Sequence, residues 1–323
     1  MRYRWLLVVL ATQVVALPLL LAAGPSLQTK GLRTLRLNIF PPGDAATVAA
    51  RARGFFAAEG LDVEIIPTVS STAQMRGLSE GAWELAGTAF DNVLAWSGRE
   101  GAEIVSVAQY ESGNYLPVYA RPEIRDWEDL RGKPLAVDAI DTAFALVLRR
   151  ILLAHDLDLE RGDYELVAVG GTGQRLQSLL RGETFAGVLS EPFDIQAEEA
   201  GLRKLGDQRE VLPDYPGSTI SVTRAWAQAN RDVLVRFLRA RLAGARWVEA
   251  NREAMLDLWA ADQGASPESL VGRLELMSPD GALNLAGLAS VLDLRTRFGY
   301  TLPIGTDLSR YYDLSYLQAA RGQ

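Results

Sequence analysis

Three short stretches of the chain carry hydroxyl side chains, two of them together with a carboxylate. They are Ser70–Thr72, Thr88–Asn92 and Ser190–Phe193. Carboxylates accept charge-assisted hydrogen bonds from N–H groups, and hydroxyls beside free helix amides bind oxygen-rich groups. These stretches are therefore suited to holding a small polar solute by hydrogen bonds.

The sequence offers little for catalysis. It has no cysteine and a single histidine, His155, which falls at the end of a predicted helix, where a cation is favourable. No HExxH or EF-hand spacing is present. Gly170–Gly173 lacks the Walker lysine and the third glycine of a dinucleotide fingerprint, so it is interpreted as a tight turn or, alternatively, as amides that contact a ligand. We expect no enzymatic activity, no cofactor and no metal site.

Composition limits the class of protein. The 323 residues are 48% hydrophobic and 23% charged, which is enough for a buried core and about two domains. The formal net charge is −7, and no run of Lys or Arg could follow a phosphate backbone. A nucleic-acid partner is therefore not expected.

The N-terminus has the layout of a secretory signal. Arg2 and Arg4 precede an apolar stretch that ends in small residues at Ala22–Gly24. We predict a signal peptide over residues 1–24 and export to the periplasm. The alternative is an uncleaved membrane anchor, because the apolar stretch is close to the ~20 residues that span a bilayer.

The polar stretches are positioned by elements that occur twice. One copy has a strand at Leu35–Phe40, a loop with Asp44, a helix, and a strand at Leu61–Ile66. The other has a strand at 133–138, a loop with Asp141, a helix at Phe144–Ala154 and a strand at 164–169. This alternation predicts two α/β lobes of like topology, whose loops face a common cleft.

The echo continues into the next helix and strand of each copy. Gln74 and Gln174 occupy corresponding positions in helices that end at Gly81 and Gly182. Ligands of open α/β sheets bind beyond the carboxyl ends of the strands, near helix N-termini. The loops after the strands are therefore the expected site.

The candidate ligand-binding residues are polar and aromatic side chains on these loops and at the second hinge. They are Phe40, Asp44, Ser71, Thr72, Thr88, Phe90, Asp91, Asn92, Asp138, Asp141, Thr142, Glu191, Phe193, Ser218 and Thr219. The aspartates at 44 and 141 are equally good helix N-caps, and the phenylalanines could instead pack in the core. Pro192 biases Glu191 away from helix, which keeps its carboxylate at the strand end.

The charge of these loops bears on the solute. They carry carboxylates at 44, 91, 111, 138, 141 and 191, and the first cation near them is Arg175. A carboxylate-rich pocket favours a ligand with amino or ring N–H groups over a bare anion. An aminopyrimidine-like or amine-bearing solute is the working hypothesis.

The chain resembles a known family along nearly all of its mature length. The run Gly54–Glu64 is similar to a hallmark stretch of the nitrate/sulfonate/taurine-type solute-binding proteins of ABC importers, a group that includes binders of thiamine-pyrimidine precursors. Further matching stretches are 121–122, 127–133, 180–183, 190–192, 222–226, 237–247 and 313–317.

The resemblance implies the type II periplasmic-binding-protein fold, with two α/β lobes joined by two crossover strands near Leu116–Ala120 and Ile220–Thr223. Lobe one would comprise residues 32–117 and 219–323, and lobe two residues 118–218. It also implies a monomer that delivers a small organic solute, sulfonate/taurine-like or aminopyrimidine-like, to an ABC-transporter permease in the inner membrane. The alternatives are an enzyme on the same fold, either a lyase or a pyrimidine-precursor synthase, and a sensory input domain.

Overall fold

Two five-stranded sheets organise the protein, whose structure is a computed structural model. It describes residues 31–68, 70–300 and 307–323. The predicted signal segment, 1–24, lies outside the described residues. The strands are β1 (Arg33–Ile39), β2 (Leu61–Pro67), β3 (Leu85–Thr88), β4 (Ile104–Gln109), β5 (Pro117–Ala120), β6 (Pro134–Val137), β7 (Glu165–Ala168), β8 (Ala186–Val188), β9 (Arg203–Asp207) and β10 (Thr219–Thr223).

Helices connect and cover these strands. They are α1 (Ala45–Ala52), α2 (Phe55–Ala58), α3 (Ser71–Glu80), α4 (Phe90–Trp96), α5 (Ala143–Ala154), α6 (Thr172–Leu180), α7 (Phe193–Glu199), α8 (Arg224–Ala229), α9 (Arg231–Ala250), α10 (Arg252–Gln263), α11 (Val271–Glu275), α12 (Leu285–Arg297) and α13 (Ser315–Arg321). Short 3-10 turns lie at Arg99–Gly101, Glu128–Leu130, Gln208–Glu210, Glu268–Leu270 and Leu308–Tyr311.

The two sheets have the same topology, so the predicted internal echo is confirmed. Sheet I has the order β2-β1-β3-β10-β4, and sheet II has the order β7-β6-β8-β5-β9. In each sheet the first three strands are parallel and the fourth is antiparallel to both of its neighbours. The strand that reverses direction is β10 in sheet I and β5 in sheet II.

The chain passes between the sheets twice. It leaves sheet I after β4, enters sheet II as β5, and returns from β9 to β10. The predicted crossovers at 116–120 and 220–223 coincide with β5 and β10, which are the strands that follow these two connections. The proposed residue boundaries of the lobes stay a prediction.

Side-chain pattern explains where these elements form. Edge strand β2 alternates buried Leu61 and Val63 with exposed Asp62 and Glu64, which is the period of a half-buried strand. Helix α3 ends at Gly81, whose φ of 76° is the left-handed conformation that glycine adopts freely. Local sequence therefore accounts for the half-buried strand β2 and for the end of helix α3.

The C-terminal helices pack against elements of both halves. Helix α9 packs closely along α1 on the sheet I side, where a Cβ at Gly244 would lie 2.2 Å from the carbonyl oxygen of Ala46. Helix α12 contacts both α4 and α5, and one buried apolar cluster runs from Phe90 through Val118 and Leu146 to Leu288. Within the described residues, no helix is long and apolar enough to cross a membrane.

Candidate functional site

A cavity of about 390 Å³ lies between the two sheets. Its walls come from the segments that follow β1, β2, β3 and β4 of sheet I and β6, β7 and β8 of sheet II, together with part of the segment 263–273. Most of its lining is apolar, with Phe40 and Tyr110 on one side and Phe144 and Phe193 on the other. The dimensions and lining are those of a site for a small organic molecule.

The structure divides the predicted site residues into two groups. Those that line the cavity are Phe40, Ser71, Asn92, Asp138, Glu191, Phe193 and Ser218. Those outside the lining are Asp44, Thr72, Thr88, Phe90, Asp91, Asp141, Thr142 and Thr219. Contact with a ligand stays a prediction for the first group.

Two aspartates of the second group are committed to buried ion pairs. Asp44 caps α1, accepting from the backbone N–H of Ala46 at 2.9 Å, and pairs with Arg241 at 3.0 Å. Asp91 pairs with Arg295 at 2.8 Å. All four side chains are almost fully buried, so these carboxylates are neutralised by cations far away in sequence rather than left for a ligand.

The uncharged residues outside the lining also have structural partners. Phe90 is buried in the core. The hydroxyls of Thr88 and Thr142 bond Asn92 and Asp138 respectively, so they support lining residues. Thr219 lies within a buried hydroxyl cluster at the centre of sheet I, 2.7 Å from Ser106 Oγ.

Thr72 and Asp141 are the last two predicted residues that lie outside the cavity lining. Thr72 is exposed on α3. The carboxylate of Asp141 pairs with Arg99 at 3.5 Å, and its backbone carbonyl accepts from Arg295 Nη1 at 3.0 Å. Asp141 therefore joins the sheet II loop to elements on the sheet I side.

Glu191 keeps a hydrogen-bonding position open in the cavity. Its Oε2 is buried and has no hydrogen-bond partner among the described residues. Burial, followed by the charge of Asp194, raises the pKa of the carboxyl group. Because an unpaired buried acceptor costs free energy, an N–H group placed against this oxygen would be bound strongly.

Glu111 is less available. Its Oε1 lies 2.5 Å from Arg273 Nη2, and both side chains are largely buried. Burial raises the pKa of Glu111, while the positive charge of Arg273 lowers it. The cation reaches the site from α11, so the cavity is less acidic than the loop sequences indicated.

Arg175 is a buried cation with no salt bridge to a carboxylate among the described residues. Its guanidinium donates to the carbonyls of Val188 at 2.9 Å and Gly170 at 3.2 Å, and to Thr172 Oγ1 at 2.7 Å. Burial lowers its pKa, yet a guanidinium stays charged in proteins. Asp138 is the carboxylate that interacts with this charge, without a direct salt bridge, so Arg175 favours an anionic or acceptor-bearing part of a ligand.

A direct hydrogen bond also crosses the cavity. Ser71, at the start of α3 on the sheet I side, donates to Asp138 Oδ2 at 3.1 Å, and Asp138 directly follows β6 of sheet II. The other Asp138 oxygen accepts from Thr142. The carboxylate of Asp138 is thus held by hydroxyls from both halves.

Sequence reasoning missed several lining residues. Tyr110 and Phe144 lie next to predicted loops and could have been found by extending them by a residue or two. Arg273 could not, because three helices and a 3-10 turn separate it from the preceding strand. Only the packing of α11 against the loop after β4 brings it to the cavity.

The geometry provides no nucleophile–base pair at the cavity. Gly77–Gly81 has the G-x-S-x-G spacing, but Ser79 lies within α3 and donates to the carbonyl of Met75. His155 is stacked on Trp127, with ring centroids 4.4 Å apart, outside the lining. Among the described residues, no group of three or more His, Asp or Glu is arranged to hold a metal ion.

An α/β protein with two like sheets around a central cavity is what the periplasmic-binding-protein fold describes. The family described as NMT1/THI5 like matches residues 42–255, and the chain belongs to that family. A Bacillus subtilis (strain 168) protein named "Putative binding protein YtlA" is 23% identical over 220 residues, which cover 64% of this chain and 62% of the relative. The match thus spans less than two thirds of that relative's length.

Solved structures share the fold. The periplasmic nitrate-binding protein NrtA of Synechocystis PCC 6803 matches with a TM-score of 0.77 and 15% identity, over 90% of this chain and 89% of that one. The alkanesulfonate-binding protein SsuA of Xanthomonas axonopodis pv. citri, bound to MOPS, matches with a TM-score of 0.70 and 16% identity, over 84% and 94%. The predicted type II periplasmic-binding-protein fold is confirmed.

Proposed function

We propose that this chain is the periplasmic solute-binding component of an ABC importer. It captures a small organic solute between its two halves and delivers it to a membrane permease. Membership of the NMT1/THI5-like family and the fold shared with nitrate- and sulfonate-binding proteins support this class. The cavity between the sheets provides the place for the solute.

The free Glu191 oxygen is the observation that carries the choice of solute. A ligand N–H group would satisfy Oε2, while Arg175 compensates an acceptor or acidic group of the same ligand. Phe40, Phe144 and Phe193 supply aromatic surface for an apolar body between these ends. We therefore favour an amine-bearing or aminopyrimidine-like solute over a bare anion such as nitrate.

A ligand panel tests this proposal. Taurine, alkanesulfonates, nitrate and aminopyrimidines are titrated into the purified protein by calorimetry, and the melting temperature is followed in parallel. We expect amine-bearing members to bind and to raise the melting temperature, because a ligand that binds only the native state stabilises it. Tight binding of nitrate or of a simple alkanesulfonate, with the amine-bearing members inert, would contradict the proposal.

The same experiment separates binding from catalysis. Bound solute is recovered and analysed by mass spectrometry after long incubation. We expect it to be unchanged, and chemical conversion of the bound solute would favour an enzyme built on the same fold.

A further inference from the structure

One rim of the cavity is closed by a contact between a side chain of one half and the backbone of the other. Glu191 follows β8 of sheet II, and its carboxylate lies against the backbone of α11 at Gly272. Leu274 of α11 and Leu270, at the end of the preceding 3-10 turn, pack into the apolar cluster of α1 and α9 on the sheet I side. This contact therefore joins the two halves at the cavity.

Because Gly272 has no side chain, the Glu191 carboxylate can lie directly against the backbone of α11. A Cβ at this position would lie 2.1 Å from Glu191 Oε1 and 2.9 Å from Glu191 Cδ. Both distances are well inside van der Waals contact, so any other residue at 272 would force one partner to move.

The backbone conformation at residue 272 does not require a glycine. Gly272 has no positive φ, unlike the glycines that end α3 and α10. Glycine in a helix interior costs about 1 kcal/mol relative to alanine. A glycine that costs helix stability and is not required by φ is explained by the close approach of another group.

The two ways of relieving the clash have the same consequence for a ligand. If Glu191 rotates away, its free oxygen leaves its place in the cavity and the contact with the α11 backbone is lost. If α11 moves outward instead, the rim opens. In either case Oε2 and the surface facing it no longer enclose a solute together.

We propose that Gly272 is a positioning residue for solute capture: the absence of a side chain there lets Glu191 dock on the α11 backbone, which closes this rim and fixes the free Glu191 oxygen. This inference rests on the proposed function. It adds a determinant of closure that lies outside the ligand-contacting side chains.

Spin-label distances test closure without a ligand. The chain has no cysteine, so cysteines introduced at the exposed positions Gln196 and Glu268 report the separation of the rim on either side of this contact. We expect the unliganded wild type to populate a short distance and Gly272→Ala to lose that population. A distribution unchanged by Gly272→Ala overturns the inference, whether or not any solute of the panel binds.

Affinity for the solute identified by the panel gives the second measurement. Gly272→Ala should weaken binding by about ten-fold or more, because a displaced Glu191 carboxylate no longer makes its charged hydrogen bond to the solute. Gly113→Ala is the matched control: a Cβ there would meet only Leu276, at 4.0 Å, and binding should be unchanged.

A double variant identifies the partner in the clash. In a Glu191→Ala background the space beside residue 272 is free, so adding Gly272→Ala should cause no further loss of affinity and no further opening. An equal loss in both backgrounds would show that Gly272 acts through helix α11 alone and would overturn the inference. Failure of every solute to bind the wild type would instead count against the proposed function.

Discussion

Glu191 combines a half-buried carboxyl group with a free oxygen that faces the cavity. Burial and the nearby negative charge of Asp194 raise its pKa above the usual glutamate value of 4.5. The group therefore takes up a proton at a pH where exposed glutamates are still ionised. Protonation removes the strong acceptor that an N–H-bearing solute needs.

Affinity for an amine-bearing solute should accordingly depend on pH through Glu191. We expect affinity to be full above the raised pKa and to fall as the pH decreases through it, beginning above the ordinary glutamate range of about 4.5. Calorimetry between pH 4.5 and 8 measures this. Glu191→Gln should bind about ten-fold or more weakly and lose the pH dependence, because a charged hydrogen bond is replaced by a neutral one.

Glu199→Gln is the control for that series. Glu199→Gln should keep the wild-type pH profile, because Glu199 is exposed at the end of α7, the helix that follows Glu191. A wild-type profile in Glu191→Gln would mean that another group governs the titration.

At the residue scale, sequence predicted the loops better than the partners of their side chains. Glu191 was found because the strand, the turn and Pro192 are contiguous in sequence. Asp44 was predicted as either a helix N-cap or a ligand contact, and it caps α1. Asp44 and Asp91, another predicted ligand contact, are paired with arginines about 200 positions away in sequence, Arg241 and Arg295. Which of two carboxylates is paired and which is free depends on tertiary contacts that no local pattern encodes.

At the scale of elements, the Asp44–Arg241 pair fastens α1 to α9. Arg241 Nη2 also donates to the carbonyl of Tyr110 at 2.8 Å, which links the end of β4 to the same point. The Arg241 guanidinium thus connects helix α9 to the N-cap of α1 and to the loop after β4, which leads to sheet II.

Removing that guanidinium should be costly. Arg241→Met leaves Asp44 buried without its counter-ion, and we expect the free energy of unfolding to fall by about 3–5 kcal/mol. Denaturant unfolding followed by circular dichroism measures the change. Arg181→Met is the control, since the Arg181–Glu183 pair is more than half exposed, and its loss should leave the free energy of unfolding nearly unchanged.

A loss of less than 1 kcal/mol for Arg241→Met would show that water or a local rearrangement compensates Asp44. Asp44→Asn combined with Arg241→Met should cost less than the sum of the single changes, because the two groups are in direct contact.

Elements were the most predictable level of this fold. The apolar patterns predicted β1, β2, β6 and β7, and the echo between the copies predicted two lobes of like topology. Strands β4 and β9 were not predicted. The packing of the C-terminal helices was predicted only in part. Helix α9 covers sheet I as expected, but α12 bridges α4 and α5, because its buried face is shared between the two halves.

At the scale of the whole molecule, the described residues from Leu32 onward form one compact unit. A shared apolar cluster contains Val93 of α4, Val118 of β5, Leu148 of α5 and Leu288 of α12. Because side chains from both halves bury one another there, neither half can lose its structure without exposing part of the other's core.

We therefore expect a single cooperative unfolding transition rather than one for each half. Calorimetry should give a ratio of calorimetric to van't Hoff enthalpy near one, and fluorescent labels on cysteines introduced at the exposed positions Glu80 and Arg181 should report the same midpoint. Leu288→Ala removes a fully buried side chain of the shared cluster. It should lower the free energy of unfolding by about 2–5 kcal/mol and shift both midpoints together. Leu285→Ala, at an exposed position of the same helix, should leave both midpoints in place. Separate midpoints for the two labels, or a Leu288→Ala effect confined to one of them, would show that the halves unfold independently despite the core they share.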